Sequence, residues 1–427
     1  MIKITKYISA YEDNGKEVID DIEAIIDEFK QRISIRRNEL VELLITLNSA
    51  YISELKLFDD TGVKILLQHI EEVDKNDEYI TFLYELLVIG THIKEENTIA
   101  NKVTVKFDLL SSEKIIIPEN KVIKTKIEND IILEITNNTI TLYKENLQEK
   151  EITEIVLKNI FEIISILHGS FPKVKYFEFF QNDNTIKVYG KQNGYLNTSE
   201  DNIIMNKKLI DLSDISNFNT VYDLYKNMKD EIRELPLQGF FISLSENQYY
   251  IKYKLCNLLQ SLEGFCSKYY NDCIEKEELK KNKAITKILT NFLKKYQKRI
   301  ECSDKFKEKI CSSLGYTAKT INLREYLEYL LKNDISKIIF EDELKATEES
   351  KYILPIKSFI KISVDERNRL SHMDNKKNTK YFTKYQARMA YEKYKLLFRY
   401  IVAEKIAVGV NKNVISNHIQ HYKNKMI

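Results

Sequence analysis

The second half of the chain carries apolar residues at helical spacing, and this periodicity constrains the fold more than any other feature. The 427 residues include only 10 glycines and 4 prolines, so few positions interrupt regular structure. Between residues 249 and 270, leucine or phenylalanine recurs every three or four positions, which predicts an amphipathic helix. Further helices are predicted over 284–296, over 323–331 and after Thr383. Residues 238–427 are therefore predicted to form an all-α bundle of four or five antiparallel helices.

The preceding 237 residues show two different patterns. Apolar residues in 16–50 and 62–89 follow a helix-like spacing, so residues 1–99 are predicted to form a helical leader. From Val103 onward, short β-branched runs alternate with turn-forming residues, which predicts a mixed, mainly β N-terminal module over 100–237 with one helix at 151–168. The expected fold class is α+β, with a helical leader, a mainly β N-terminal module and a C-terminal helical bundle.

Composition narrows the functional classes. No signal-peptide pattern follows Met1 and no apolar run reaches the length of a membrane span, so we expect a cytoplasmic protein without membrane contact. Five cysteines form no C-x-x-C pair and six histidines form no cluster with recognised ligand spacing, which argues against a disulfide framework and a metal site. We therefore predict no metal and no cofactor.

The net charge of +2 conceals an asymmetry along the chain. Residues 361–427 contain 15 Lys and Arg against 5 Asp and Glu, a net +10, which leaves −8 for the rest. A basic C-terminal segment is what a polyanion-binding site requires. A solvated helix face or a plain loop in a lysine-rich protein gives the same pattern. The candidate RNA-binding lysines in this segment are Lys376, Lys377, Lys380 and Lys384.

The basic segment contains a short group of residues suited to RNA cleavage. Arg367 keeps its charge and can bind a phosphate through two N–H groups, and His372 can exchange a proton near neutral pH. Asn368 follows the arginine and lies one helical turn before the histidine. If this segment is helical, Arg367 and His372 lie about 140° apart around the axis. A two-fold dimer, in which two copies of the motif face one cleft, removes that difficulty.

Arg367-Asn368-x-x-x-His372, in the penultimate helix of an α bundle, resembles the hallmark of the HEPN superfamily, R-x(4–6)-H. The predicted first helix of the bundle, Leu258-Leu-Gln-Ser-Leu-Glu-Gly-Phe265, is similar to that of the ApeA-like branch. In that branch a mainly β region precedes the HEPN domain. A helical leader departs from this arrangement.

The resemblance implies a metal-independent endoribonuclease that dimerises through the HEPN bundle and acts in phage defence or a toxin–antitoxin pair. His372 would be the general acid or base, Arg367 would stabilise the transition-state phosphate, and Asn368 would orient the site. Arg369 and Ser371 would add phosphate contacts. The products would be a 2′,3′-cyclic phosphate and a 5′-hydroxyl. A higher oligomer and a phage-encoded trigger are compatible with this interpretation.

Two other hypotheses remain open at this point. The bundle could be a non-catalytic RNA-binding or interaction module, or a toxin silenced by a partner antitoxin such as a nucleotidyltransferase. Individual residues also have structural interpretations. His372 could stabilise a helix C-terminus, Arg367 could pair with a surface carboxylate, Arg369 could be a solvated surface residue, and Glu263 a structural residue on a helix face.

Overall fold

The protein is described here by a computed structural model, and the description covers most of the chain. The described residues are 2–5, 8–11, 17–20, 23–27, 32–36, 54–58, 64–68, 71–75, 79–83, 86–90, 100–109, 117–118, 121–181, 184–190, 208–244, 250–274, 284, 287–289, 291–292, 321–350, 353–372 and 380–426. The chain divides into two compact units, residues 1–222 and 223–427. The first unit contains the strands described below, and the second is helical, so the α+β class is confirmed.

The described part of the first unit contains two antiparallel sheets. Its strands are β1 Ile2–Thr5, β2 Ile8–Tyr11, β3 Glu17–Asp20, β4 Glu23–Asp27, β5 Arg32–Arg36, β6 Glu54–Phe58, β7 Lys64–Gln68, β8 Glu71–Lys75, β9 Tyr79–Leu83, β10 Leu86–Gly90, β11 Ala100–Leu109, β12 Val122–Lys126, β13 Ile132–Thr136, β14 Thr139–Leu147, β15 Pro172–Gln181 and β16 Asn184–Gly190. Five strands pair in the order β1-β4-β5-β9-β8. Eleven pair in the order β12-β13-β14-β11-β15-β16-β10-β7-β6-β2-β3.

The prediction of a helical leader over residues 1–99 is wrong, because the described parts of this segment are strands β1 to β10. In β5, Ile33 and Ile35 are both fully buried while their neighbours are not, which is the period of two expected of a strand. The isoleucines and valines that suggested a helical stripe are β-branched and favour extended backbone. Spacing alone did not distinguish one helix from several short strands.

The predictions for the mainly β module agree with the structure where it is described. The β-rich runs correspond to β11, β13 and β14, and the predicted hairpin is β15 with β16. The run at 114–117 lies almost wholly outside the described residues. The predicted helix is α1, which has three consecutive segments, Glu149–Ile152, the π-helical Thr153–Ile160, and Phe161–His168. It ends at Gly169, whose φ of 80° suits a helix-terminating glycine.

The described part of the second unit consists of helices and the segments that connect them. After α2, Phe218–Glu231, which crosses the division between the units, they are α3 Leu235–Leu244, α4 Ile251–Tyr269, α5 Asn271–Ile274, α6 Leu323–Leu330, α7 Asp334–Ile339, α8 Glu341–Lys345, α9 Ile356–His372, α10 Lys384–Lys405 and α11 Lys412–Met426. Most of the predicted helix at 284–296 lies outside the described residues. In the described part of the chain, no helix has the length and apolar character needed to cross a membrane.

The core of the helical unit lies where α3 and α10 pack against α4. The ring of Phe398 stacks on Phe240 at 4.7 Å between centroids and meets Phe265 edge-on at 5.6 Å. Helices α3 and α4 approach closely at Gly239, where an added Cβ would lie 2.5 Å from the hydroxyl oxygen of Ser261. This tight contact fixes α4, the helix that carries one side of the candidate site.

Candidate active site

Helix α9 carries the predicted catalytic residues and is anchored at both its beginning and its middle. The carbonyl of Pro355 accepts a hydrogen bond from the Phe359 amide at 2.9 Å, so the proline starts the helix where its missing N–H does no harm. Further along, the hydroxyl groups of Ser363 and Tyr394 lie 2.9 Å apart in the core, and burial raises the pKa of Tyr394. Because α9 is unbroken from Ile356 to His372, the predicted residues share one helix.

Arg367 lies at the contact between α9 and α4. Its Nη2 donates to the carboxylate of Glu263, which lies on α4, and its Nη1 donates to Asn368 Oδ1 at 2.8 Å. About a fifth to a quarter of each side chain of the ion pair is exposed, at 22% and 25%. The Nε of Arg367 is buried and has no hydrogen-bond acceptor among the described residues.

A second charged cluster lies one residue earlier on α9. The carboxylate of Glu366 is almost fully buried and binds two cations, Lys252 Nζ at 2.7 Å and Arg369 Nη2 at 2.8 Å. The guanidinium of Arg369 also lies 4.9 Å from the ring centre of Tyr381, a cation–π contact. Arg369 was predicted as an RNA contact or a solvated surface residue. Its side chain is partly buried between an acid and an aromatic ring rather than solvated, and its contact with RNA stays a prediction.

Ser371 links the end of α9 to α4. Its hydroxyl accepts a hydrogen bond from Gln260 Nε2 at 2.8 Å and lies 3.7 Å from Cys256 Sγ. The same sulfur lies 3.8 Å from the carbonyl oxygen of Arg367, to which it donates. Burial raises the pKa of the Cys256 thiol, so it acts here as a neutral donor that fixes the helix backbone beside Arg367.

The remaining predicted residues are described by the structure to different extents. His372 is the last residue of α9, five positions after Arg367, and its side chain lies outside the described part. Lys380 pairs with Glu349 at 2.9 Å on the surface, and Lys384 is the exposed first residue of α10. Lys376 and Lys377 lie outside the described residues. Arg367 and Asn368 are thus brought into direct contact, and the lysines are not shown to join them.

The comparison with protein families identifies this part of the chain. Residues 256–413 match the family described as Apea-like HEPN. This segment is therefore similar to Apea-like HEPN domains. It contains Arg367, Asn368, His372 and Glu263, and HEPN domains are generally RNases. No curated protein and no solved structure matches the chain.

Sequence reasoning missed part of the candidate site. Glu263 was interpreted as a structural residue on a helix face, and no role at the site was predicted for Lys252, Cys256 or Gln260. These four residues occur at intervals of three or four along α4, and they contact Glu366, Arg367 and Ser371 of α9. A polar stripe beside the apolar stripe of Leu255, Leu258, Leu259, Leu262 and Phe265 was the available signal.

Proposed function

We propose that this protein is a metal-independent endoribonuclease whose active site is composite and lies at a HEPN dimer interface. One observation carries the proposal. Arg367 and His372 lie on a single unbroken helix inside the segment that matches a family of RNases, and Arg367 is held at a partly exposed surface by Glu263 and Asn368. A cation held in place and a titratable base are the two groups that metal-free RNA cleavage requires.

In the proposed reaction, the imidazole of His372 removes the proton of a ribose 2′-hydroxyl. The 2′-oxygen then attacks the adjacent phosphorus and the bond from phosphorus to the 5′-oxygen breaks. A His372 imidazole in its protonated form then donates a proton to the leaving 5′-oxygen. Arg367 stabilises the negative charge on the pentavalent phosphate, and the Asn368 amide orients the guanidinium. The products are a 2′,3′-cyclic phosphate and a 5′-hydroxyl.

Helix geometry favours a site shared by two copies of the chain. The unbroken α9 leaves Arg367 and His372 about 140° apart around the helix axis, so one copy does not easily direct both groups to one phosphate. A two-fold axis near the end of α9 would place His372 of one copy opposite Arg367 of the other. A homodimer through the bundle, or a higher oligomer built from such dimers, is therefore proposed.

The proposed substrate is RNA, either tRNA or another cellular or phage RNA. Arg369, Ser371, Lys376, Lys377, Lys380 and Lys384 would contact its phosphates. At the level of the family, an Apea-like HEPN domain supports a defence-type role. We propose that the cytoplasmic protein acts by abortive infection, and that a phage-encoded trigger is sensed by the β-rich N-terminal unit.

The test is cleavage of total RNA and tRNA by the full-length protein in EDTA, with and without phage lysate. We expect cleavage without added metal and fragments that end in a 2′,3′-cyclic phosphate. Intact RNA under both conditions, together with RNA binding that does not change in His372→Ala protein, would favour the non-catalytic binding module. Cleavage only with added divalent metal would contradict the proposed mechanism.

A further prediction follows from the ion pair between Glu263 and Arg367. Glu263→Gln keeps an oxygen acceptor for Nη2 and removes a negative charge beside the proposed phosphate position. We expect this variant to bind RNA roughly threefold to fivefold more tightly, because that charge contributes on the order of 1 kcal/mol at a partly exposed site. Glu263→Ala removes the anchor and misplaces the guanidinium, so we expect the rate of cleavage to fall about tenfold to a hundredfold.

Single-turnover cleavage and RNA affinity, measured on both variants, separate these effects. Glu263→Gln is the matched control, since it shares the loss of charge with Glu263→Ala but keeps the hydrogen bond. Equal cleavage rates for the two variants would show that Glu263 does not position Arg367.

A further inference from the structure

Two tyrosines at the beginning of α4 are exposed to an extent that packing does not explain. The side chain of Tyr250 is 71% exposed and that of Tyr253 is 52% exposed. Their rings meet each other nearly edge-on, at 6.1 Å between centroids and 75° between planes. This leaves ring surface of both tyrosines open to solvent. Exposed aromatic residues that lie together mark interaction sites more often than isolated apolar residues do.

Helix α4 carries this pair at its beginning and contacts the candidate active site along its length. Lys252, between the two tyrosines, binds Glu366, and Cys256 donates to the carbonyl of Arg367. Tyr253 precedes Cys256 by three residues and Gln260 by seven, so all three lie along one side of the helix. With a rise of about 1.5 Å per residue, the Cα of Tyr253 lies about 4.5 Å along the axis from that of Cys256 and about 15 Å from that of Glu263, which binds the Arg367 guanidinium.

The charges near the two tyrosines indicate which kind of molecule binds there. Among the described ion pairs around the end of α9, three cations, Lys252, Arg367 and Arg369, share two carboxylates, Glu263 and Glu366. The surplus positive charge favours a partner that carries negative charge. Open aromatic rings beside surplus cations suit an unpaired nucleobase with its phosphate, because the ring stacks on the base and the cations attract the backbone.

We propose that Tyr250 and Tyr253 form a stacking platform that binds an unpaired base of single-stranded RNA, further along the strand from the phosphate held by Arg367. This inference rests on the proposed function and adds a preference for single-stranded over duplex RNA, since bases inside a duplex do not present a free face to the rings. Both tyrosines precede residue 256, where the match to the HEPN family begins. The platform is thus a feature of this chain outside the matched segment.

The test measures the affinity of full-length His372→Ala protein, which is expected not to cut, for a short fluorescein-labelled single-stranded RNA and for the same sequence as a duplex. We expect tighter binding of the single strand. Tyr250→Ala and Tyr253→Ala should each weaken that binding roughly tenfold, while Tyr→Phe at either position leaves it unchanged because the ring remains. The dependence of affinity on salt should stay the same in all four variants, since no phosphate contact is lost.

Leu235→Ala is the matched control, because Leu235 is 70% exposed on the same unit and has no aromatic ring. It should bind RNA normally. Alanine variants that bind as well as the parent, phenylalanine variants that lose as much affinity as alanine, or a parent that does not bind the single strand would each overturn the proposal. It would also be overturned if the alanine variants bound RNA normally but changed from dimer to monomer in light scattering, because the pair would then be a protein interface.

The outcomes also separate the platform from the nuclease. If wild-type protein does not cleave RNA in EDTA but single-strand binding depends on the two rings, the platform stands and the nuclease assignment fails. If wild-type protein cleaves RNA and the rings make no difference to affinity, the platform alone fails.

Discussion

His372→Ala is expected to lower the rate of RNA cleavage in EDTA by roughly 10²- to 10⁴-fold, the range found when a general acid–base group is removed. The imidazole is the one group in the Arg367–His372 segment that titrates near neutral pH. Single-turnover rates should therefore depend on pH near neutrality in wild-type protein and lose that dependence in the variant. A variant that keeps its rate and its pH profile would remove His372 from the chemistry.

Arg367 should respond differently to the same assay. Arg367→Ala is expected to lower the rate about 10²- to 10³-fold, as for other groups that stabilise developing negative charge. Arg367→Lys should recover little, because a lysine cannot reach Glu263, Asn368 and a phosphate at once through a planar fork. The pH profile should remain that of wild type, since the variant keeps His372.

Mixing the two inactive variants tests whether the site is composite. If two copies share one site, subunits of Arg367→Ala and His372→Ala protein that have exchanged should regain part of the wild-type rate. Each variant incubated alone under the same exchange conditions is the control. No recovery, after exchange has been demonstrated with labelled subunits, would indicate that each chain carries a complete site.

The C-terminal helices were predictable because their signals are local. The apolar stripe predicted for α4 is buried at every position, from Leu255 to Phe265. Thr383 starts α10 as predicted, since its hydroxyl accepts from the Gln386 amide and the Gln386 side chain accepts from the Thr383 amide. Such signals depend on residues three or four positions apart, which the sequence displays directly.

The N-terminal strands were not predictable in the same way, because their hydrogen-bond partners are distant in sequence. Strand β5 pairs on one side with β4 and on the other with β9, in which Thr81 lies opposite Ser34. Apolar pairs spaced along residues 18–33 fit a helix as well as they fit β3, β4 and β5. The decision between these structures is made by partners that local spacing does not reveal.

In the candidate site too, some features follow from residues that are close in sequence, and others depend on contacts between residues that are far apart in sequence. The spacing of Arg367, Asn368 and His372 was visible in the sequence, and so was the helix that carries them. Glu263 lies 104 residues before Arg367, and only the packing of α4 against α9 brings the two together. The buried carboxylate of Glu366, which immobilises Lys252 and Arg369, also depends on that packing.

The same helical unit contains a buried ion pair whose disruption should have the largest effect on stability. Lys393 of α10 and Glu343 of α8 lie 2.5 Å apart, and each side chain is only 2% exposed. Lys393→Met leaves the Glu343 carboxylate buried without its principal partner. We expect this to lower the free energy of unfolding by about 3–5 kcal/mol, measured as a shift in the denaturation midpoint of the full-length protein.

The double variant Lys393→Met with Glu343→Leu distinguishes two causes of lower stability. One is a buried carboxylate left without its cation, and the other is the absence of the ion pair as a whole. Because two apolar side chains of similar size avoid the desolvation of both charges, it should be within about 1–2 kcal/mol of wild type or more stable. Lys345→Met is the surface control, since Lys345 pairs with Glu341 in the same α8 helix but both are exposed, and it should leave the denaturation midpoint unchanged. A double variant as unstable as Lys393→Met would mean that packing around α10, rather than an uncompensated charge, determines the loss.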